Sequence, residues 1–184
     1  MQDILVIDCQ YDFIDGTLAC SHAEEAVQNI IAFINANPSA RVLYSADSHS
    51  INHCNYIHNG GIWPVHCQTG THGAEIHTAF YTDITNPEQR PNISNIYYKG
   101  ENDSVEEYSS FCAKNRAGHE LNQDLGQDVL LCGIASEFCV RESALAYKNS
   151  GRKIEVPEKM LAWVDEAGHK KNIAELSAMG VKVA

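Results

Sequence analysis

Residues Val129 to Tyr147 read VLLCGIASEFCVRESALAY, and this stretch decides the fold. Val129 to Cys132 is a short apolar run suited to a strand buried on both faces. Small and polar residues follow from Gly133, and Phe138 to Tyr147 takes up a helical pattern with Gly151 just beyond it as a stop. A doubly buried strand feeding a helix is the repeating unit of a parallel sheet covered on both sides.

The same alternation extends outward in both directions. Ile4 to Ile7, Val42 to Tyr44 and Ile96 to Tyr98 are predicted strands, and Ile154 to Val156 and Val181 to Val183 are weaker ones. His22 to Asn35 carries apolar residues at Ala23, Ala26, Val27, Ile30, Ile31 and Ile34, close to helical spacing, and Ile173 to Met179 also reads as helix. The expected architecture is α/β, a three-layer α/β/α domain with a mainly parallel sheet, spanning residues 1–184 as one unit. The segment from Asp47 to Pro91 breaks the rhythm. Rich in His, Gly, Asn, Thr and Pro, it reads as an insertion of loops and turns, and loops this long in a compact domain are usually functional.

The 184 residues include 13 Lys plus Arg and 24 Asp plus Glu, for a net charge of −11. That balance argues against nucleic acid or an anionic membrane surface as partner, since both attract basic patches. No apolar run approaches the roughly 18 residues of a membrane span. The start, Met-Gln-Asp-Ile-Leu, lacks the features of a signal peptide, so a cytoplasmic location is expected. Seven cysteines cannot all pair, and no CxxC spacing points to a zinc ribbon or redox pair. The question is whether one of them is a nucleophile.

Ligands of open α/β sheets bind beyond the carboxyl ends of the strands. The first strand ends at Asp8, the second runs into Asp47-Ser48-His49, the third ends at Lys99-Gly100 and the fourth leads to Cys139. Cys139, at or near a helix start, is expected to feel the helix dipole and free N–H groups, which favour a thiolate and can hold an oxyanion. Asp8 is the candidate general base and Lys99 the neighbour that stabilises both charges. Asp47, His49 and His66 form a mixed O/N ligand set suited to Zn, Fe or Mn, with His53 as a fourth ligand or an outer donor. Phe13 and Trp63 are aromatic candidates for packing on a flat substrate. Each residue also has an ordinary reading: a buried helix thiol, a strand-end cap, a surface lysine, histidines decorating a loop, core aromatics.

The motifs IDCQYDF (Ile7 to Phe13), ADSH (Ala46 to His49), GGIWPVHCQTGTHGAEIH (Gly60 to His77), YYKG (Tyr97 to Gly100) and GIASEFCVRESA (Gly133 to Ala144) occur in this order. Together they resemble the nicotinamidase/pyrazinamidase branch of the isochorismatase-like cysteine hydrolases over nearly the whole chain. The resemblance implies the isochorismatase-like hydrolase fold and a triad of Asp8, Lys99 and Cys139. It also implies an oxyanion hole from the backbone of Ala135 and Cys139, with a cis peptide before Ala135. One divalent metal, zinc foremost with iron or manganese as alternatives, is implied at Asp47, His49 and His66, with His53 a ligand in some relatives only. Phe13 and Trp63 match positions lining the nicotinamide ring. The implied reaction converts nicotinamide to nicotinate and ammonia through a cysteine thioester, in NAD salvage. Tyr11, Cys9, Cys20, Glu137-Phe138 and His72 depart from the family pattern, and Phe138 beside the nucleophile bears on how large a ring amide fits. Alternatives are a cysteine hydrolase acting on another small amide or carbamoyl compound, a non-catalytic metal-stabilised binding module, and hydrolysis by metal-bound hydroxide. Metal identity, oligomeric state (a homo-oligomer included) and acceptance of pyrazinamide stay open.

Overall fold

The first strand, β1 (Asp3–Ile7), is apolar from Ile4 onward because both of its faces are covered. Ile4 and Val6 pack into one core and Leu5 and Ile7 into another on the opposite side of the sheet. The computed structural model describes residues 2–184 and places β1 between β2 (Val42–Asp47) and β4 (Asp128–Gly133). With β3 (Ile96–Lys99), β5 (Lys153–Val156) and β6 (Lys182–Val183) the sheet has the order β3-β2-β1-β4-β5-β6, every pairing parallel.

Helix α1 (Ala23–Ala36) closes the first core with Ala23, Ala26, Val27, Ile30, Ile31 and Ile34, the residues of its predicted apolar face. On the other face, α2 (Arg141–Asn149) contributes Ala144 and Tyr147, and α3 (Glu166–Ala178) contributes Leu176. These are the three layers expected. Helix α3 begins seven residues before the predicted Ile173. Its start is set by Asp165, whose side chain accepts from the Gly168 N–H at 2.6 Å, and its buried face includes His169 and Asn172. A cap and polar buried residues leave no hydrophobic period to read.

Between β2 and β3 the chain holds only short helical turns, such as Ala79–Thr82. Strand order reverses between β1 and β4, and in such sheets the crevice at that reversal takes the ligand. No described helix is long and apolar enough to cross a membrane.

Candidate active site and metal centre

Four neighbouring strands deliver their next residues to that crevice. Asp8 follows β1, Asp47 ends β2, Lys99 ends β3, and the segment after β4 carries Cys139. The register Asp47↔Lys99 places two of them side by side by backbone pairing alone. Beyond β4, Gly133 has φ +120° and a Cβ there would meet the Ile7 carbonyl oxygen at 2.1 Å, so only glycine fits. The Ile134–Ala135 peptide is cis.

Cys139 lies close to a helix start, as expected. It lies inside a π-helical turn, Ser136–Val140, that precedes α2, and is only 6% exposed. Burial pushes its thiol well above the ordinary range; Lys99 opposes this, while Asp8 and Asp47 add to it. Burial thus works against the thiolate expected at a helix start, and Lys99 is the group that favours it. The amides of Phe138 and Val140 donate to the Ala135 carbonyl and that of Ser136 to the Ala162 carbonyl.

Lys99 is the hub. Its Nζ lies 2.9 Å from Asp8 Oδ2, 3.5 Å from Cys139 Sγ and 3.3 Å from the Glu107 carbonyl, and bonds Asp47 Oδ1. Burial pulls the ammonium's pKa down, but Asp47 and Asp8 outweigh it and hold the group charged. Asp47 shows the same balance from the other side: burial raises it, yet Lys99 and His49 leave it below the usual carboxylate range. Asp8 ends up raised, because complete burial outweighs Lys99. Its Oδ1 accepts from Ser45 Oγ at 2.6 Å, whereas Oδ2 is an ion-pair partner of Lys99 without an aligned hydrogen bond. Asp8 thus stands between the Lys99 ammonium and the thiol. Ligating atoms of Asp8, Asp47 and Cys139 lie within 4.8 Å of one another.

Next to this cluster, donor atoms of Asp47, His49 and His66 also fall within 4.8 Å of one another, all three residues buried. His49 donates from Nδ1 to the Gly100 carbonyl at 2.8 Å, and His66 from Nδ1 to the Pro64 carbonyl at 2.8 Å. A carbonyl only accepts, so each ring proton sits on Nδ1 and each Nε2 lone pair is free to ligate. The donor set therefore fits a divalent cation. Gly100 has φ +70°, and a Cβ there would meet His49 Cε1 at 2.3 Å. His53 stands near but outside this trio, with its ring centroid 4.2 Å from that of His49.

Phe13, Trp63, His66, Ala135 and Phe138 line the pocket over Cys139. Trp63 and Phe138 meet edge to face at 5.1 Å, and Trp63 Nε1 donates to Tyr108 Oη at 3.0 Å. Glu106 and Tyr108 join the lining from a loop whose sequence offers no periodicity or motif. Burial raises the Glu106 carboxyl. Gln10, fully buried, clamps Asp47 by accepting from its N–H at 2.7 Å and donating to its carbonyl at 2.8 Å. Ser45 and Gln10 escaped the sequence reading. Ser45 lies inside an apolar strand, and Gln10 carries no chemistry of its own.

Residues 3–100, just over half of the chain, match the isochorismatase domain. The chain belongs to the isochorismatase family. Among similar proteins, the nicotinamidase of Escherichia coli (strain K12) is 25% identical over 177 residues, covering 83% of this family member and 79% of that chain. The nicotinamidase/pyrazinamidase of Mycobacterium tuberculosis (strain ATCC 25618 / H37Rv) is 28% identical over 154 residues, covering 78% and 77%. The crystal structure of PnC1 from L. infantum in complex with nicotinate superposes with a TM-score of 0.79 at 28% identity, covering 100% and 92%.

Proposed function

We propose that this isochorismatase-family protein is an amidohydrolase that converts nicotinamide to nicotinate and ammonia, a step of NAD salvage in the cytoplasm. The observation that carries the reading is the buried cluster in which Lys99 stands against both Asp8 and Cys139. Support for the substrate comes from relatives named nicotinamidase and from a similar structure holding nicotinate.

Asp8 Oδ2 accepts the thiol proton and Cys139 Sγ attacks the carboxamide carbon. This transfer leaves the net charge of the buried cluster unchanged, which matters where burial penalises both charged forms. Lys99 faces both the carboxylate and the sulfur, so its attraction persists as charge moves from one to the other. The amides of Ala135 and Cys139 stabilise the tetrahedral oxyanion. Asp8 returns its proton to the departing amine, giving ammonia and a Cys139 thioester. Asp8 then activates water, and hydrolysis releases nicotinate and the free thiol.

Asp47, His49 and His66 would hold a divalent metal, zinc foremost and iron or manganese as alternatives, which supplies a Lewis-acidic seat for the pyridine nitrogen. Phe13 and Trp63 pack against the ring. Fixing the ring supplies orientation, an effect of up to about 7–11 kcal/mol in well-ordered systems. A substrate panel tests the reading: ammonia release from nicotinamide should far exceed release from aliphatic amides, and equal or lower rates would refute it.

A further inference from the structure

Two buried side-chain atoms beside the metal-ligand trio have no hydrogen-bond partner, His53 Nε2 and Asn55 Oδ1. Their residues are 0% and 4% exposed. An orphaned polar atom in such a place costs about 1–3 kcal/mol unless something else binds it. His53 is the more obvious ligand by residue type, yet neither of its ring nitrogens falls within 4.8 Å of the whole Asp47, His49 and His66 donor set. The Asn55 backbone N–H makes only a long contact, 3.3 Å, to His53 Nδ1.

Asn55 is placed to do what His53 cannot. Its Nδ2 stands 3.4 Å from His49 Nε2, the nitrogen whose lone pair is free to ligate, and this is too long for a good N–H···N bond. Turning the carboxamide by half a revolution exchanges nitrogen and oxygen in almost the same shape: Oδ1 takes the position beside His49 Nε2 and Nδ2 the place where Oδ1 had no partner, so the support lies in the contact with His49. At tetrahedral angles, donor atoms with bonds of about 2.0–2.2 Å stand roughly 3.3–3.6 Å apart, and such a site expands to five-coordinate when a further donor such as the pyridine nitrogen arrives. Asp47 Oδ2 lies 3.6 Å from His49 Nε2 and the Asn55 amide 3.4 Å from it, so both contacts have the length of ligand–ligand edges.

We propose that the Asn55 carboxamide oxygen is a ligand of the metal, alongside Asp47, His49 and His66, and that His53 stands outside the coordination sphere. This rests on the metal centre proposed above. An amide oxygen adds a donor without charge, so the bound cation keeps more Lewis acidity than a second carboxylate would leave it.

Competition against a chromophoric chelator measures Zn²⁺ affinity for wild type, Asn55→Ala, Asn55→Asp and His53→Ala, and visible spectra of Co²⁺-loaded wild type and Asn55→Ala report coordination. Asn55→Ala is expected to bind Zn²⁺ at least tenfold more weakly and to change the cobalt spectrum, with Asn55→Asp as tight as wild type or tighter. His53→Ala should stay within threefold of wild type. Asn55→Ala within threefold of wild type, an unchanged cobalt spectrum, or an equal loss in His53→Ala would each overturn the proposal. If Asn55→Ala does not fold, Asn55→Asp carries the test, and weaker Zn²⁺ binding there contradicts a ligand role. Failure of wild type itself to bind metal would instead refute the metal centre, a result distinct from failure of the Asn55 assignment.

Discussion

Lys99 Nζ lies 3.5 Å from Cys139 Sγ, and both residues are buried at the floor of the pocket. The attraction of this ammonium opposes the rise that burial imposes on the sulfur. Lys99→Met removes that attraction while keeping the bulk. Alkylation of Cys139 by iodoacetamide should slow, ammonia release should be lost, and the fold should lose about 3–5 kcal/mol as two carboxylates lose their partner. Denaturant unfolding and labelling followed by mass spectrometry check this; alkylation at the wild-type rate would contradict the role given to Lys99.

The acid limb of the pH profile belongs to Asp8. Only the ionised carboxylate accepts the thiol proton, so kcat/KM should fall as pH drops through the Asp8 pKa. Burial places that pKa above the ordinary aspartate value, and the Ser45 hydroxyl pulls it back down. Ser45→Ala withdraws a hydrogen bond from the charged form and should raise the pKa further. The acid limb then moves to higher pH by roughly one unit or more. An unmoved limb would separate it from Asp8.

Gly100 couples the triad to the ligand set, since it follows Lys99 and its carbonyl orients His49. Gly100→Ala forces a side chain into a φ of +70° and against the imidazole. Zinc content should fall and stability should drop by about 1–3 kcal/mol. Metal analysis and thermal melts of the purified variant give the answer.

Phe138 closes the pocket against Trp63 and Tyr108. Phe138→Ala should raise the ratio of kcat/KM for a bulkier ring amide to that for nicotinamide, with kcat for nicotinamide lowered by looser seating. An unchanged ratio would remove Phe138 from substrate selection.

Much of this site is legible in the sequence because a parallel sheet delivers its strand-end residues to one edge. Asp8, Asp47, Lys99 and Cys139 each follow an apolar run, and their convergence needs only the strand list and the parallel topology. The residues that tune them are harder to read. Ser45 looks like a filler of strand β2 until β1 is set beside it, and Gln10 acts through the backbone of a residue 37 positions away. Glu106 and Tyr108 reach the pocket on a loop, where no period constrains side-chain direction. Helix α3 hides its first half for the same reason that gives it a buried polar face: His169 and Asn172 bond Ser136, next to the cis peptide, rather than filling an apolar core. The depth of Cys139 depends on the π-helical turn, which small and polar residues do not announce.

The central claim is that the Cys139 thiol performs the chemistry while the metal trio holds the ring. Ammonia release from nicotinamide by wild type and Cys139→Ala, with metal content measured on both samples, tests it directly. The account predicts near-total loss of ammonia release in the variant with metal content unchanged. Substantial turnover by Cys139→Ala at full metal loading would contradict it and assign the hydrolysis to metal-bound hydroxide.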